Sequence, residues 1–141
     1  MKHSAKTEYA AVAVLELARR WGTGEPVRLR PICEAHGVPS RFLVQILLQL
    51  KAAGIVASTR GAAGGYQLLR PPMEITLEDI VRIFEGPEEG AMPRAGRSRT
   101  LAALRDAWTD VAEAEAAALR SITFADLVER SRASADAMYY I

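Results

Sequence analysis

Arg41, Val44 and Gln45 stand within five residues of one another, and each can read a base edge. A guanidinium places two donors on guanine. A carboxamide offers adenine one donor and one acceptor, and an isopropyl group can touch a thymine methyl. Ser40 and Lys51 flank them with groups suited to phosphate oxygens, a hydroxyl and a point charge. A second cluster follows, in which Arg60 precedes the run Gly61-Ala-Ala-Gly-Gly65. Arginine on a slender loop can enter a narrow minor groove, where negative potential concentrates. The N–H groups of Gly61, Gly64 and Gly65 can approach phosphates because no side chain projects from them. Lys2, His3 and Lys6 form a third group of candidate phosphate contacts near the chain start. For each cluster the alternative is ordinary solvated charge, and the choice between them rests on the elements that carry the residues.

Those elements can be read from periodicity and punctuation. Ala10, Val14, Leu17 and Trp21 recur on one face and predict a first helix over about 4–21, capped by Ser4 or Thr7. A short second helix spans about Leu29–His36, with Pro31 in its first turn and Gly37 closing it. After Val38-Pro39, Ser40 is expected to cap a third helix over about 41–53. There Leu43, Ile46, Leu47 and Leu50 face inward. Ser40, Arg41, Val44, Gln45 and Leu48 then share the outer flank. Two short strands, 55–59 and 66–69, enclose the glycine run as a β-hairpin. The run lacks the Lys-Ser/Thr of a nucleotide loop and does not open a helix. Thr76 and Asp79 have the spacing of a capping box for a fourth helix carrying Ile80, Ile83 and Phe84. A polar stretch rich in Gly and Pro follows, then a long helix over about 100–120 and a short one from Thr123.

This order predicts a mainly α chain: a winged helix-turn-helix with a two-stranded hairpin wing, whose third helix enters the major groove. The expected division is a DNA-binding domain over 1–85, a flexible loop over 86–99, and a dimerisation helix with a short C-terminal helix over 100–141. Leu101, Leu104, Trp108 and Val111 form an apolar stripe on a helix outside the winged domain. Two copies packed face to face would bury both stripes and fix the spacing of the two groove helices. Folding back on its own domain is the other way to cover that stripe, and Glu115 marks where the seam ends.

Charge and composition narrow the class. The net charge of +1 hides an asymmetry: residues 1–70 carry ten Lys and Arg against four Glu, and residues 71–141 carry eight against thirteen acidic groups. A basic first half fits a polyanionic partner. No stretch reaches the roughly 20 apolar residues of a membrane span, and the start lacks the pattern of a signal peptide. One cysteine, Cys33, excludes an internal disulfide and a multi-cysteine metal site within one chain. A cytoplasmic location is the corresponding expectation. No Ser/His/Asp set, paired carboxylates or metal-ligand spacing points to an enzyme, and no cofactor or metal is expected.

Several segments resemble the Rrf-two family of bacterial transcriptional regulators. They are Tyr9-Ala-Ala-Val12, Ser40-Arg-Phe-Leu-Val-Gln-Ile-Leu47, Leu50-Lys-Ala-Ala-Gly-Ile-Val56, Ser58-Thr-Arg-Gly-Ala-Ala-Gly-Gly-Tyr-Gln-Leu68, Pro71-Pro72, Ile75-Thr-Leu77 and Thr123-Phe-Ala-Asp-Leu127. The resemblance covers about 1–130. It implies a homodimer on a palindromic operator, Arg60 in the minor groove and a long C-terminal dimerisation helix. Many members carry three cysteines before the long helix that hold an iron–sulfur cluster. Here residues 86–100 contain none, so the chain is expected to lack one. Val44 stands where the family often has Glu, which points to a different operator. The function expected is that of a sequence-specific, double-stranded-DNA-binding regulator. The alternatives are a protein-interaction winged helix and a cluster- or redox-dependent sensor of the same family.

Overall fold

A computed structural model describes residues 3–86 and 98–139, without the side chains of 136–139. The elements are α1 (Ala5–Ala18), α2 (Leu29–His36), α3 (Ser40–Ala52), β1 (Val56–Thr59), β2 (Gly65–Leu68), α4 (Leu77–Glu85), α5 (Arg99–Arg120) and α6 (Phe124–Tyr139), with a 3-10 turn at Pro72–Glu74 before α4.

Helix α1 lies at the centre, against α3, α4, α6 and β2. Its start is capped by the Ser4 hydroxyl, which accepts from the Thr7 N–H at 3.2 Å. Ala10 and Ala13 are fully buried, and their small side chains let neighbouring helices approach closely. Tyr9 meets Phe42 of α3 edge-to-face, with ring centroids 5.7 Å apart. The helix stops earlier than the apolar spacing predicts: Arg19 is its C-cap, so Trp21 lies beyond it and is 46% exposed.

The turn from α2 to α3 uses Gly37 at φ 65°, the left-handed conformation that glycine adopts without cost. Val38 is then buried, and Pro39 is the N-cap of α3. Ser40 is therefore inside the helix and caps nothing, contrary to the expectation from its type. Pro39 holds the extended conformation that an N-cap needs, so the position before a helix went to the residue with the fixed φ. Leu43, Ile46, Leu47 and Leu50 are all fully buried, as their spacing requires. Each such side chain is worth about 1.5–3 kcal/mol of burial. At the far end, Gly54 at φ 79° turns the chain, the Ile55 N–H returns to the Leu50 carbonyl at 3.0 Å, and Ile55 is buried.

Strands β1 and β2 pair antiparallel, with Val56 opposite Leu68 and Thr59 opposite Gly65. Val27 bridges to Tyr66 through two backbone hydrogen bonds of 2.8 Å, so the segment before α2 clasps the wing. The capping box of α4 is present: Thr76 Oγ1 accepts from the Asp79 N–H at 3.3 Å, and Asp79 Oδ2 accepts from the Thr76 N–H at 2.9 Å.

Helix α6 differs from the short helix expected: it has 16 residues. Thr123 and Asp126 cap it reciprocally, at 3.0 and 3.1 Å. Phe124 is completely buried and Val128 nearly so, in the same core as Leu17, Leu47 and Ile80. The Phe124 N–H donates to Ile75 and the Leu77 N–H to Ile122, which ties the start of α6 to the start of α4. The chain thus leaves the winged domain along α5 and returns to complete its core. Most of the loop expected at 86–99 lies outside the described residues. Among them, no helix is long and apolar enough to cross a membrane.

Candidate nucleic-acid interface

With the four leucine and isoleucine side chains of α3 turned into the core, its other flank is left to solvent. Ser40, Arg41, Val44, Gln45 and Leu48 are all exposed, Leu48 to 57%. Ser40, Arg41 and Gln45, with Pro39 and Phe42, line one open concavity of about 420 Å³ at the start of the helix. No side chain caps that start. The Phe42 N–H donates to the Pro39 carbonyl at 3.0 Å, which leaves the Ser40 and Arg41 N–H groups and the positive end of the helix dipole for an outside acceptor, as anion sites at helix N-termini use them.

Lys51, at the other end of the flank, donates to Ser58 of β1 at 2.8 Å. Ser58 lies in β1, and the exposed Arg60 immediately follows the end of that strand. The exposed flank of α3 is therefore joined by a hydrogen bond to the root of the wing. Lys51 was expected to face phosphate; here its ammonium also bonds to the wing.

The wing tip needs its glycines for reasons beyond open approach. Gly61 sits at φ 104°, which side-chain-bearing residues rarely adopt. A Cβ on Gly64 would overlap the Thr59 carbonyl, and one on Gly65 would overlap the Val27 carbonyl. The Gly64 N–H is spent on the Gly61 carbonyl at 3.0 Å, so it is not a phosphate donor as expected. Arg28, the N-cap of α2, donates from its guanidinium to the Ala62 carbonyl at the tip. Arg28 was missed in the sequence. Its partner is 34 positions away, and the only local signal was a cation just ahead of the helix-turn-helix.

The start of α1 is less open than its charges promise. His3 Nδ1 lies 3.0 Å from Glu85, and its Nε2 lies 3.8 Å from Glu115 of α5. Glu85 also accepts from the Ser4 N–H at 3.0 Å. Partial burial works upward on the Glu85 carboxyl, yet the Ser4 N–H and the His3 ring together hold it below the usual carboxylate range. Lys6 is half-buried, with its ammonium 5.8 Å from the centre of the Phe84 ring. An internal carboxylate thus occupies the helix start where a phosphate was expected, and Lys6 is turned to an aromatic face. Lys2 lies outside the described residues.

Among the described residues, nothing buries the apolar stripe on α5. None of the helix's residues is fully buried, and Leu104, Trp108 and Val111 are 45, 58 and 50% exposed. Leu101 is half-buried. Glu115 faces His3, so the stripe gives way to a polar contact with the winged domain.

A helix-turn-helix with an exposed second-helix flank, an uncapped helix start and a glycine-tipped wing defines a winged helix-turn-helix DNA-binding protein. The model of the Rrf2 family, described as "Iron-dependent Transcriptional regulator", matches residues 3–130, and the chain belongs to that family. It is 35% identical over 142 residues to the HTH-type transcriptional regulator CymR of Bacillus subtilis, covering all of both chains. The solved structure of CymR, titled the global cysteine regulator of B. subtilis, superposes with a TM-score of 0.81 at 34% identity, covering 92% of this chain and 98% of that one. T. potens IscR superposes with a TM-score of 0.76 at 34% identity, over 93% and 88%. The chain is a transcriptional regulator of this family and not an enzyme.

The family description invokes iron, and the donors in this chain do not fit an iron–sulfur cluster. A cluster takes about four ligands, usually thiolates. Cys33 is the one cysteine, half-buried on α2. Among the described residues, no group of three or more His, Cys, Asp or Glu side chains could hold a metal ion.

Proposed function

We propose that the protein acts in the cytoplasm as a cluster-independent homodimer on a pseudo-palindromic operator, typically as a repressor. One α3 and one wing from each protomer engage each half-site. The observation that carries this reading is the Lys51–Ser58 hydrogen bond, which couples the exposed flank of α3 to the strand that leads to Arg60. Arg41 and Gln45 read base edges in the major groove, and Val44 packs on a thymine methyl. Ser40 and Lys51 hold phosphates, with lesser help from Lys2. Arg60 reaches the minor groove from a tip whose shape depends on Gly61, Gly64 and Gly65. Leu101, Leu104, Trp108 and Val111 pack against their copies in the partner.

The test is a gel-shift series on a duplex selected from a random pool. Affinity falls steeply with salt, with a log–log slope of about −0.9 per neutralised phosphate. Arg60→Ala weakens binding and relaxes the preference for an A·T-rich segment beside each half-site. A variant with unchanged affinity and unchanged preference rejects the wing's role.

A further inference from the structure

Beneath the wing, away from the exposed flank of α3, is a cavity of about 310 Å³. That is the lower end of the range of about 300–1,000 Å³ found for small-molecule sites. Its apolar lining is Leu17 at the end of α1, Leu68 of β2 and the exposed indole of Trp21. Its polar lining is Arg20, Glu25 and Gln67. Among the described residues, none of these three polar side chains has a hydrogen-bond or ion-pair partner. By contrast, Arg19 and His36 nearby both pair with Glu16. An exposed cation, an exposed anion and a half-buried amide thus border one open pocket without partners among the described residues.

We propose that this cavity binds a free α-amino acid with an apolar side chain, and that its occupancy is felt at the wing. The charges choose the ligand class. A simple anion would be drawn to Arg20 and repelled by Glu25, and a simple cation would meet the reverse. A zwitterion satisfies both: its carboxylate takes the guanidinium, with the Gln67 amide as a further donor, and its ammonium takes the Glu25 carboxylate. The side chain lies on Leu17, Leu68 and the Trp21 ring. A cavity of this volume suits a small metabolite.

The coupling follows from the same wall. Val27 lines the cavity and forms both backbone hydrogen bonds with Tyr66 of β2, and Gln67 pairs with Ala57 of β1. The next residue, Arg28, holds the wing tip at Ala62. The turn on the other side uses Gly22 at φ 86° and Gly24 at φ 75°, and neither packs closely against a neighbour. A ligand that draws Arg20 and Glu25 together therefore shifts the segment that clasps the wing. Only this coupling rests on the DNA-binding reading above; the site itself does not.

Calorimetry on the full-length chain tests the site with L-phenylalanine, L-methionine and L-leucine. Phenethylamine and N-acetyl-L-phenylalanine serve as single-charge controls. At least one amino acid gives saturable heat, and each single-charge control binds weaker by about tenfold or more, a difference of about 1.4 kcal/mol. Arg20→Gln and Glu25→Gln each weaken binding by a similar factor without altering the far-ultraviolet circular dichroism. Absence of saturable heat for all three amino acids, equal binding of either control, or unchanged binding in either variant overturns the site. In the second arm the selected duplex is titrated with and without the amino acid. The factor by which the amino acid changes duplex affinity equals the factor by which duplex changes amino-acid affinity, and a factor of one overturns the coupling. A chain that binds the amino acid but no duplex upholds the site and rejects the DNA-binding reading instead.

Discussion

Helices α3 and α5 each carry a stripe of four large apolar residues, at 43, 46, 47 and 50 and at 101, 104, 108 and 111, and the chain treats them in opposite ways. On α3 the four at 43, 46, 47 and 50 are sealed in the core, and a polar flank is presented outward. On α5 no residue is fully buried, and Trp108 leaves more than half of its surface in water. A helix that buries its apolar stripe within its own domain is finished as a structure, and its exposed side is free for a ligand. A helix that leaves the stripe outside is finished only by a partner. The difference supports the proposal that α3 reads DNA and that α5 pairs two copies of the chain.

The sharpest way to break this comparison is to charge the α5 stripe. Leu104→Asp with Trp108→Asp yields a folded monomer that loses operator binding by about a hundredfold or more, since the second half-site no longer adds its contacts. Sedimentation velocity checks the mass, and gel shift checks the DNA. A variant that stays dimeric shows that the stripe lies elsewhere than the interface.

The matching change on α3 acts on stability. Leu47→Ala empties a fully buried site and costs about 2–5 kcal/mol in unfolding free energy. Urea unfolding measures it. At saturating stability, in low denaturant, the dimer mass is unchanged, which sets this helix apart from α5. On the outer flank of α3, Gln45→Ala leaves the unfolding midpoint in place. It flattens discrimination at one base pair, by about 1–3 kcal/mol. A selection experiment that returns the same operator for both proteins removes Gln45 from base readout.

What was legible in the sequence divides along the same line. Signals contained within a few residues were read correctly: the Thr76–Asp79 box, Gly37 at the end of α2 and the buried face of α3. Each is set by backbone sterics or by spacing on one element. The misreadings needed information from elsewhere in the chain. Trp21 continued an apolar spacing past the point where α1 stops, and the two glycines that follow carry the chain away. The short terminal helix proved long because Phe124 enters a core built almost entirely from residues before 85. On the outer flank of α3, the exposure of Arg41 and Gln45 followed from helical spacing. Arg28 was missed, because its contact with the wing tip is a tertiary one. Gly64 was assigned to phosphate, but the Thr59 carbonyl and the Gly61 carbonyl claim its space and its N–H.

The smallest effect is expected where the two regions touch through polar groups. Glu85 receives the Ser4 N–H and the His3 ring, and the same ring approaches Glu115 on α5. Its carboxyl titrates below the ordinary value of 4.5 in the folded chain, because those hydrogen bonds outweigh the upward pull of burial. A carboxyl with a depressed folded pKa stabilises the fold above its unfolded pKa, and the contribution fades as pH falls through the folded one. Glu85→Gln therefore lowers the thermal midpoint slightly at neutral pH, and the gap from the wild type closes on acidification below about pH 4.5. A thermal series across pH 3–7 measures the gap. A gap that stays constant would mean that the carboxylate charge contributes nothing to holding α1 and α4 together at the foot of α5.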